Sequence, residues 1–447
     1  MGNAESGTNS EPEKVNDGAN LSVPAYILVI LQVVLFFLFG FLAEVTYPQN
    51  AAGTVTQGYN MFIGVEIMMF IGFGYLMTFL RKYGVGAVAF TMIITAIGLQ
   101  WALFTESFFY QWYNTPKGED WANVSINIYS LLQALYAISS VLISFGACIG
   151  KITPAALLVM TIIELACHSL NYTIIGDGVL GLADIGGTYY DHMFGAYFGL
   201  AVSYVLGMPK NDPKEGGQVA DVFSLVGTLF LWVYWPSFVA GADTADSASQ
   251  HRAIVHTILA LASSTVCAFA TSMLLSADKK FRPVDIQNST LAGGVAIGVI
   301  ANLTLAPIDA ILVGGAAGFV STFGYNVIQG YLEDNKIVHD TCGVHNLHGL
   351  PSLVGAIASV ILAAFKYENA DQDVYGSDGD QHWWMHLLGI FVVMGFAITT
   401  GLTTGFLLKC FCLTDDNKQQ FKDSAWWEMS ASSHGSSHGG PLNVDKL

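Results

Sequence analysis

Runs of about twenty mostly apolar residues recur along this chain, with short polar breaks between them, and about twenty is the length a helix needs to cross the hydrocarbon core of a bilayer. Twelve such runs can be placed, at roughly 25–45, 59–79, 84–104, 123–147, 153–175, 186–207, 222–241, 252–276, 286–304, 307–328, 346–365 and 384–409. Pro307 suits the start of the tenth. Composition agrees with the pattern. Of 447 residues 53% are hydrophobic and 11% charged, against about 25% charged in an ordinary soluble domain, so the chain lacks the polar side chains to cover a soluble surface. The 47 glycines suit helices that approach closely in a membrane. The expected fold is all-α, a polytopic membrane protein of about twelve transmembrane helices.

Residues 1–22 are polar, rich in Asn, Ser and Glu, and read as a disordered cytoplasmic segment. The first apolar run lies too far in, with too little charge before it, for a cleaved signal peptide. Residues 23–411 form the transmembrane domain and 412–447 a cytoplasmic tail, whose Ser432–Gly440 repeat reads as a flexible linker; His434 and His438 belong to it rather than to a metal site.

Assigning alternate loops to opposite sides puts 14 of the 17 Lys and Arg residues on the side that holds both termini, leaving only Lys117, Arg252 and Lys366 opposite. By the positive-inside rule both termini are expected in the cytoplasm, in a plasma membrane or an internal acidic or vacuolar membrane. The formal charge of −17 offers no basic patch to nucleic acid. Glu106, Glu119, Asp120, Asp177, Asp243, Asp246, Asp371 and Asp380 fall on the other face. Such a face either enriches cations near an entrance or is an ordinary set of solvated loops. None of the six cysteines lies in an outer loop, so no disulfide framework is expected, and Cys410-Phe-Cys412 at a helix end reads as packing before palmitoylation. Asn123-Val-Ser125 is a candidate glycan acceptor in an outer loop, whereas the sequons at Asn171, Asn288 and Asn302 fall in or near spans.

Two segments share one spacing: Asp184-Ile-Gly-Gly187-Thr-Tyr-Tyr-Asp-His192 and Asp340-Thr-Cys-Gly343-Val-His-Asn-Leu-His348. Each opens an apolar run, the sixth and the eleventh, so the two helices run in opposite senses. That is the pattern of an inverted structural repeat, which in transport proteins sets paired groups near the midplane. The Asp can cap a helix start, the Gly permits a turn or close packing, and a straight helix would carry the His about 12 Å inward. A histidine inside a span is costly and marks a functional site by default. For single cases such as His168 and His256 a core histidine bonded to a backbone carbonyl is the plainer reading. For His192 and His348, in matched contexts, a pair in an apolar lumen is expected. Burial disfavours the imidazolium there, and neutral rings can share one hydrogen bond and serve a small polar solute. His345, one turn before His348, reads as a vestibule or packing residue.

The stretch Asp184–Leu200 resembles the Rh glycoprotein signature of the ammonium transporter family. So do Gly227-Thr-Leu-Phe-Leu-Trp-Val-Tyr-Trp-Pro-Ser-Phe238, Gln250-His-Arg252, Ile286-Gln-Asn-Ser-Thr-Leu-Ala-Gly-Gly294 and Asp340–Gly349. The resemblance implies a homotrimer of twelve-helix protomers, each with a narrow apolar pore lined by paired histidines and closed at its outer mouth by two stacked aromatics. Carried over by position, the pore histidines are His192 and His348, the helix-start acids for structure or recruitment Asp184 and Asp340, and one gate aromatic Phe238. Counting back from Phe145-Gly-Ala-Cys-Ile-Gly-Lys151, the other gate aromatic is Tyr136, where Phe is usual in the family. Val239 stands where relatives often have a polar residue. The blood-group members lack the histidine pair, and this chain keeps both. The implied function is an ammonia channel that takes ammonium and conducts NH3, with no cofactor and no enzymatic step. The alternatives are a carbon dioxide or general gas channel, an ammonium sensor that conducts little, and a membrane enzyme with a metal on His382 and His386, whose helical i, i+4 spacing suits ligands but lacks a nearby glutamate base.

Overall fold

The computed structural model describes residues 22–47, 52–80, 82–178, 180–210, 217–242, 247–365, 382–411, 413 and 420–429, the side chains of 52–54, 177 and 247 excepted. The expected N-terminal segment, His434, His438, Cys412, and the loop acids Asp243, Asp246, Asp371 and Asp380 lie outside the described residues.

Twelve apolar helical segments run through the described chain. They are α1 (Val23–Leu42), α2 (Val55–Phe79, with a π-helical stretch over Met68–Phe73), α3 (Gly84–Asn114), α4 (Ile128–Cys148), α5 (Pro154–Tyr172), α6 (Thr188–Met193 and Phe194–Leu206), α7 (Gln218–Gly241), α8 (Ser247–Leu275), α9 (Pro283–Ser289 and Ala292–Ile297), α10 (Pro307–Asp334), α11 (His345–Phe365) and α12 (Trp383–Cys410). Ten of them are long and apolar enough to cross a membrane unaided; α6 and α9 are not among these ten, and α9 is broken between Ser289 and Ala292. Local chemistry sets the starts. Pro154, Pro283 and Pro307 sit in first turns, where a missing N–H costs nothing. Asn127 caps α4 by accepting from Tyr129 N and Ser130 N while Ser130 Oγ accepts from Asn127 N, a full capping box.

That cap corrects the expected start of the fourth span at 123. Val124–Ile126 is extended and pairs in parallel with Ala43–Val45, Ala43 opposite Val124. This short ladder ties the end of α1 to the entry of α4, a small departure from an all-helical chain. The third span is also longer than expected, reaching Asn114.

Glycine permits the tight packing. A Cβ on Gly314 would fall 2.2 Å from the Ala260 carbonyl oxygen, and one on Gly293 2.3 Å from the same atom, so α9 and α10 close on α8 backbone to side chain-free backbone. Outward faces stay apolar: Phe36, Phe37 and Phe41 on α1, Leu229 and Val233 on α7, and Phe391 on α12 are all exposed. That is the surface a lipid phase accepts and water does not.

Candidate functional site

The two matched segments fold alike. Asp184 Oδ1 accepts from Thr188 N at 2.9 Å and its Oδ2 from Tyr189 N at 2.6 Å. Asp340 Oδ1 accepts from Val344 N and its Oδ2 from His345 N, both at 2.9 Å. Four and five residues on, the same amides are capped in both copies. The glycines turn the chain between acid and helix: Gly187 has φ 67° and Gly343 φ 71°. A Cβ would meet Asp191 at 2.0 Å in the first and the Tyr325 ring at 2.2 Å in the second, so both positions need glycine for conformation and for space. Each helix then opens with π-helical bonding, over Thr188–Met193 and His345–Gly349. The expected straight rise from acid to histidine is therefore corrected: the left-handed glycine breaks the helix, and His192 and His348 sit within the first turns.

Thr188 also ends the α-helical bonding of α9, which passes into a tighter 3-10 turn over Gly298–Ile300. Its hydroxyl donates to Val295 O at 2.7 Å and accepts from Val299 N at 2.9 Å. It stands inside what would be one i→i+4 bond of α9, and an inserted side chain bends a helix there. Beside it the Gly186 N–H donates to Gly298 O at 3.1 Å. The start of α6 and the C-terminal end of α9 thus meet backbone to backbone.

The histidines meet. His192 Nδ1 and His348 Nδ1 are 3.2 Å apart, and the rings lie nearly parallel, centroids 5.2 Å apart and planes 22° apart. Both residues are buried, at 2% and 3% exposure. Because the shared bond uses both Nδ1 atoms, one ring carries its proton on Nδ1 and the other on Nε2. The pair keeps one further donor and one further acceptor for a solute, and His192 Nε2 has no protein partner.

Aromatic rings continue the column on either side. Toward the end that holds Asp184, Phe238 lies 5.6 Å from His192, and Tyr136 lies 4.9 Å from Phe238. The structure brings these two rings together, but edge to face at 83° rather than in the parallel stack implied by the resemblance; edge contact suits the ring quadrupoles equally. Gly241 makes room for the Tyr136 hydroxyl, which a Cβ there would approach to 2.6 Å. Val239 is fully buried against Gly186. Toward the other end Phe73 stacks on His348 at 6.3 Å. A cavity of about 20 Å³ lies there among Phe73, Leu142, Ile143, Val344, Leu347 and His348, room for about one water-sized molecule.

Trp235, stacked on His192 at 5.6 Å, and Phe73 went unnoticed in the sequence. Trp235 was within reach, being one helical turn before Phe238 on the same face; Phe73 carries no such signal. His256 Nδ1 donates to the Ala301 carbonyl oxygen at 2.7 Å, so His256 behaves as a core histidine bonded to backbone. His168 departs from that reading: its Nε2 pairs with Asp191 Oδ1 at 2.8 Å. His345 stands edge-on to Tyr197, with no partner on Nδ1. His382 and His386 sit at the start of α12, where His382 stacks on Trp384. Asn123 is exposed beside the short strand.

Outside the membrane segments one acid is held at a helix start. Asp423 accepts from Val85 N at 2.9 Å and Gly86 N at 2.7 Å, capping α3. Burial nonetheless pushes its carboxyl above the ordinary range, the two N–H bonds opposing that shift without cancelling it. Phe421 anchors the same segment, buried against Gly150 and with its N–H on Gly150 O.

The model of the Ammonium Transporter Family matches residues 25–429. The chain is 40% identical over 396 residues to the ammonium transporter Rh type B of Xenopus tropicalis, across 85% of this chain and 84% of that one. It is 34% identical over 442 residues to the Rh type C protein of the same species, across 92% of each. Among solved structures it is similar to the Rh50 channel of Nitrosomonas europaea, with a TM-score of 0.74, 30% identity, and coverage of 86% of this chain and 94% of that one. The Mep2 protein of Saccharomyces cerevisiae shares the fold at a TM-score of 0.63 and 15% identity. The chain belongs to the ammonium transporter family, on its Rh branch.

Proposed function

We propose that this protein is an ammonia channel of the membrane in which its helices sit. Ammonium gives up a proton at the Asp184 end, and neutral NH3 passes the Tyr136–Phe238 pair, then His192 and His348, to the cavity beside Phe73. The observation that carries the reading is the buried imidazole pair, joined Nδ1 to Nδ1 at 3.2 Å within a column of aromatic rings. Moving a bare ion into such surroundings costs tens of kcal/mol by the Born estimate. Neutral ammonia loses only hydrogen bonds, and the spare donor and acceptor of the imidazole pair replace some of them.

Asp184 and Asp340 act here as structural acids. Their oxygens are turned to backbone amides, and they fix the helix starts that carry the histidines. Both termini lie in the cytoplasm, as the 14-to-3 split of basic residues argues, so the Asp184 end faces out; membership of the Rh branch argues that the protein works as a homotrimer. The test is stopped-flow permeability of proteoliposomes to ammonia and to carbon dioxide. Ammonia conduction above empty vesicles supports the channel; ammonium binding without conduction makes it a sensor, and carbon dioxide conduction alone makes it a gas channel of another kind.

A further inference from the structure

Behind the ring column lies a second polar region. A cavity of about 420 Å³ opens between α3, α4 and α5 at the Asp184 end, lined by Glu106, Ser107, Gln133, Ser169, Tyr172 and Thr173 among others. Among the described residues Glu106 supplies its one carboxylate, and no lysine or arginine lines it. Glu106 Oε1 is buried and has no protein partner. Deeper in, Asp191 is near enough for its charge to act on Glu106, and Asp191 is paired with His168 at 2.8 Å. His168 Nδ1, Glu164 Oε2 and both side-chain amide atoms of Asn171 are also buried without a protein partner. Residues 164, 168 and 171 share one face of α5.

Polar atoms at membrane depth are expensive when unsatisfied, and native proteins satisfy them with water or a ligand. Asp191 immediately precedes His192, yet its carboxylate bonds to α5 while the imidazole of His192 bonds to α11. The two residues thus join the ammonia column to the polar seam. Around Glu106 and Asp191 stand Tyr110 on α3, Tyr136 on α4, Glu164, His168 and Tyr172 on α5, and Tyr190 on α6.

We propose that Glu106, Asp191 and His168 form the outer proton-accepting site of the channel: it takes the proton that ammonium leaves behind and returns it to the outer solution through the cavity. The proposal rests on the reading that NH3 is the species conducted. An N–H bond of ammonium breaks and its electron pair stays on nitrogen, giving NH3. The proton forms an O–H bond on the Glu106 carboxylate. That carboxyl then releases it to water in the cavity, and the charge balance of the site is restored. Asp191 and His168 hold a second exchangeable proton between them and keep Glu106 in an environment from which release is outward.

The test is ammonia uptake by proteoliposomes across external pH for the wild type, Glu106→Gln, Asp191→Asn and, as a control for general surface charge, the exposed acid Glu119→Gln. At alkaline pH, where ammonia is supplied directly, all four should conduct alike. At acidic pH, where ammonium predominates, Glu106→Gln and Asp191→Asn should fall by about tenfold, the low end of what a positioned proton acceptor contributes, while Glu119→Gln follows the wild type. Infrared difference spectra should show a protonated-carboxyl band on adding ammonium to the wild type, and Glu106→Gln should lose it. Glu106→Gln is nearly isosteric and faces a cavity, so its result stands even where Asp191→Asn fails to fold. Profiles of Glu106→Gln that superimpose on the wild type, or that fall equally at every pH, overturn the proposal. A wild type that conducts no ammonia at any pH overturns the channel reading first and this inference with it.

Discussion

Replacing Asp184 separates a structural acid from one that touches the permeant. Its carboxylate accepts from Thr188 N at 2.9 Å and Tyr189 N at 2.6 Å, with Tyr190 N more distant at 3.3 Å. Hydrogen bonds to a charged group contribute about 1.5–3 kcal/mol each. Asp184→Ala removes two good ones and leaves buried N–H groups at a helix start, so it should cost about 3–5 kcal/mol. Asp184→Asn keeps one acceptor oxygen for Thr188 N and should cost about half as much. Asp340→Ala, with two bonds of 2.9 Å, should cost about 3 kcal/mol. The assay pairs thermal unfolding of the purified protein in detergent with ammonia flux after reconstitution. Asp184→Asn should unfold earlier than the wild type and still conduct. The reasoning is refuted if Asp184→Asn unfolds like the wild type but conducts nothing, since the carboxylate would then be serving the permeant and not the backbone.

Phe238→Ala should alter permeability or selectivity more than Phe230→Ala on the same helix, because only Phe238 packs on both Tyr136 and His192; equal and negligible flux changes would remove Phe238 from the path. Burial raises the Asp423 carboxyl, so its contribution to docking is full below the ordinary carboxylate range and is lost as pH rises through the raised value. Protection of residues 420–429 against hydrogen exchange, taken relative to intrinsic exchange at each pH, should therefore be greater at acidic than at neutral pH, and Asp423→Asn should flatten that dependence. Tags at the two termini should be inaccessible in intact cells and become accessible on permeabilisation; labelling of either without permeabilisation would overturn the orientation.

What the sequence disclosed and what it withheld divide along physical lines. Apolar run length depends on local composition alone, so all the helices could be placed, though α3 runs on past its expected end to Asn114 and α10 to Asp334. The duplicated Asp, Gly and His are also local: each acid caps amides four and five residues on, and each glycine takes a left-handed turn next to it. The features that were missed depend on distant partners. Thr188 ends the helical bonding of α9 more than a hundred residues away. Asp423 caps α3 from the far end of the chain. His168 looked like a core histidine seeking a carbonyl, and only the fold brings Asp191 to it. Ring orientation was equally out of reach: a residue list names Tyr136 and Phe238, but packing decides that they meet edge to face.

The central claim is that His192 and His348 act as one unit in conducting neutral ammonia. Ammonia-driven pH change and electrical current should be recorded together in the same proteoliposomes for the wild type, His192→Ala, His348→Ala and the double variant. Removing either ring strands its partner, at a cost of about 1–3 kcal/mol for a buried unsatisfied group. The account predicts an electrically silent wild type, similar losses in the two single variants, and a double variant that loses little more than either, since members of one network do not add. If both single variants assemble normally and conduct ammonia like the wild type, the two residues are core histidines and the account is wrong.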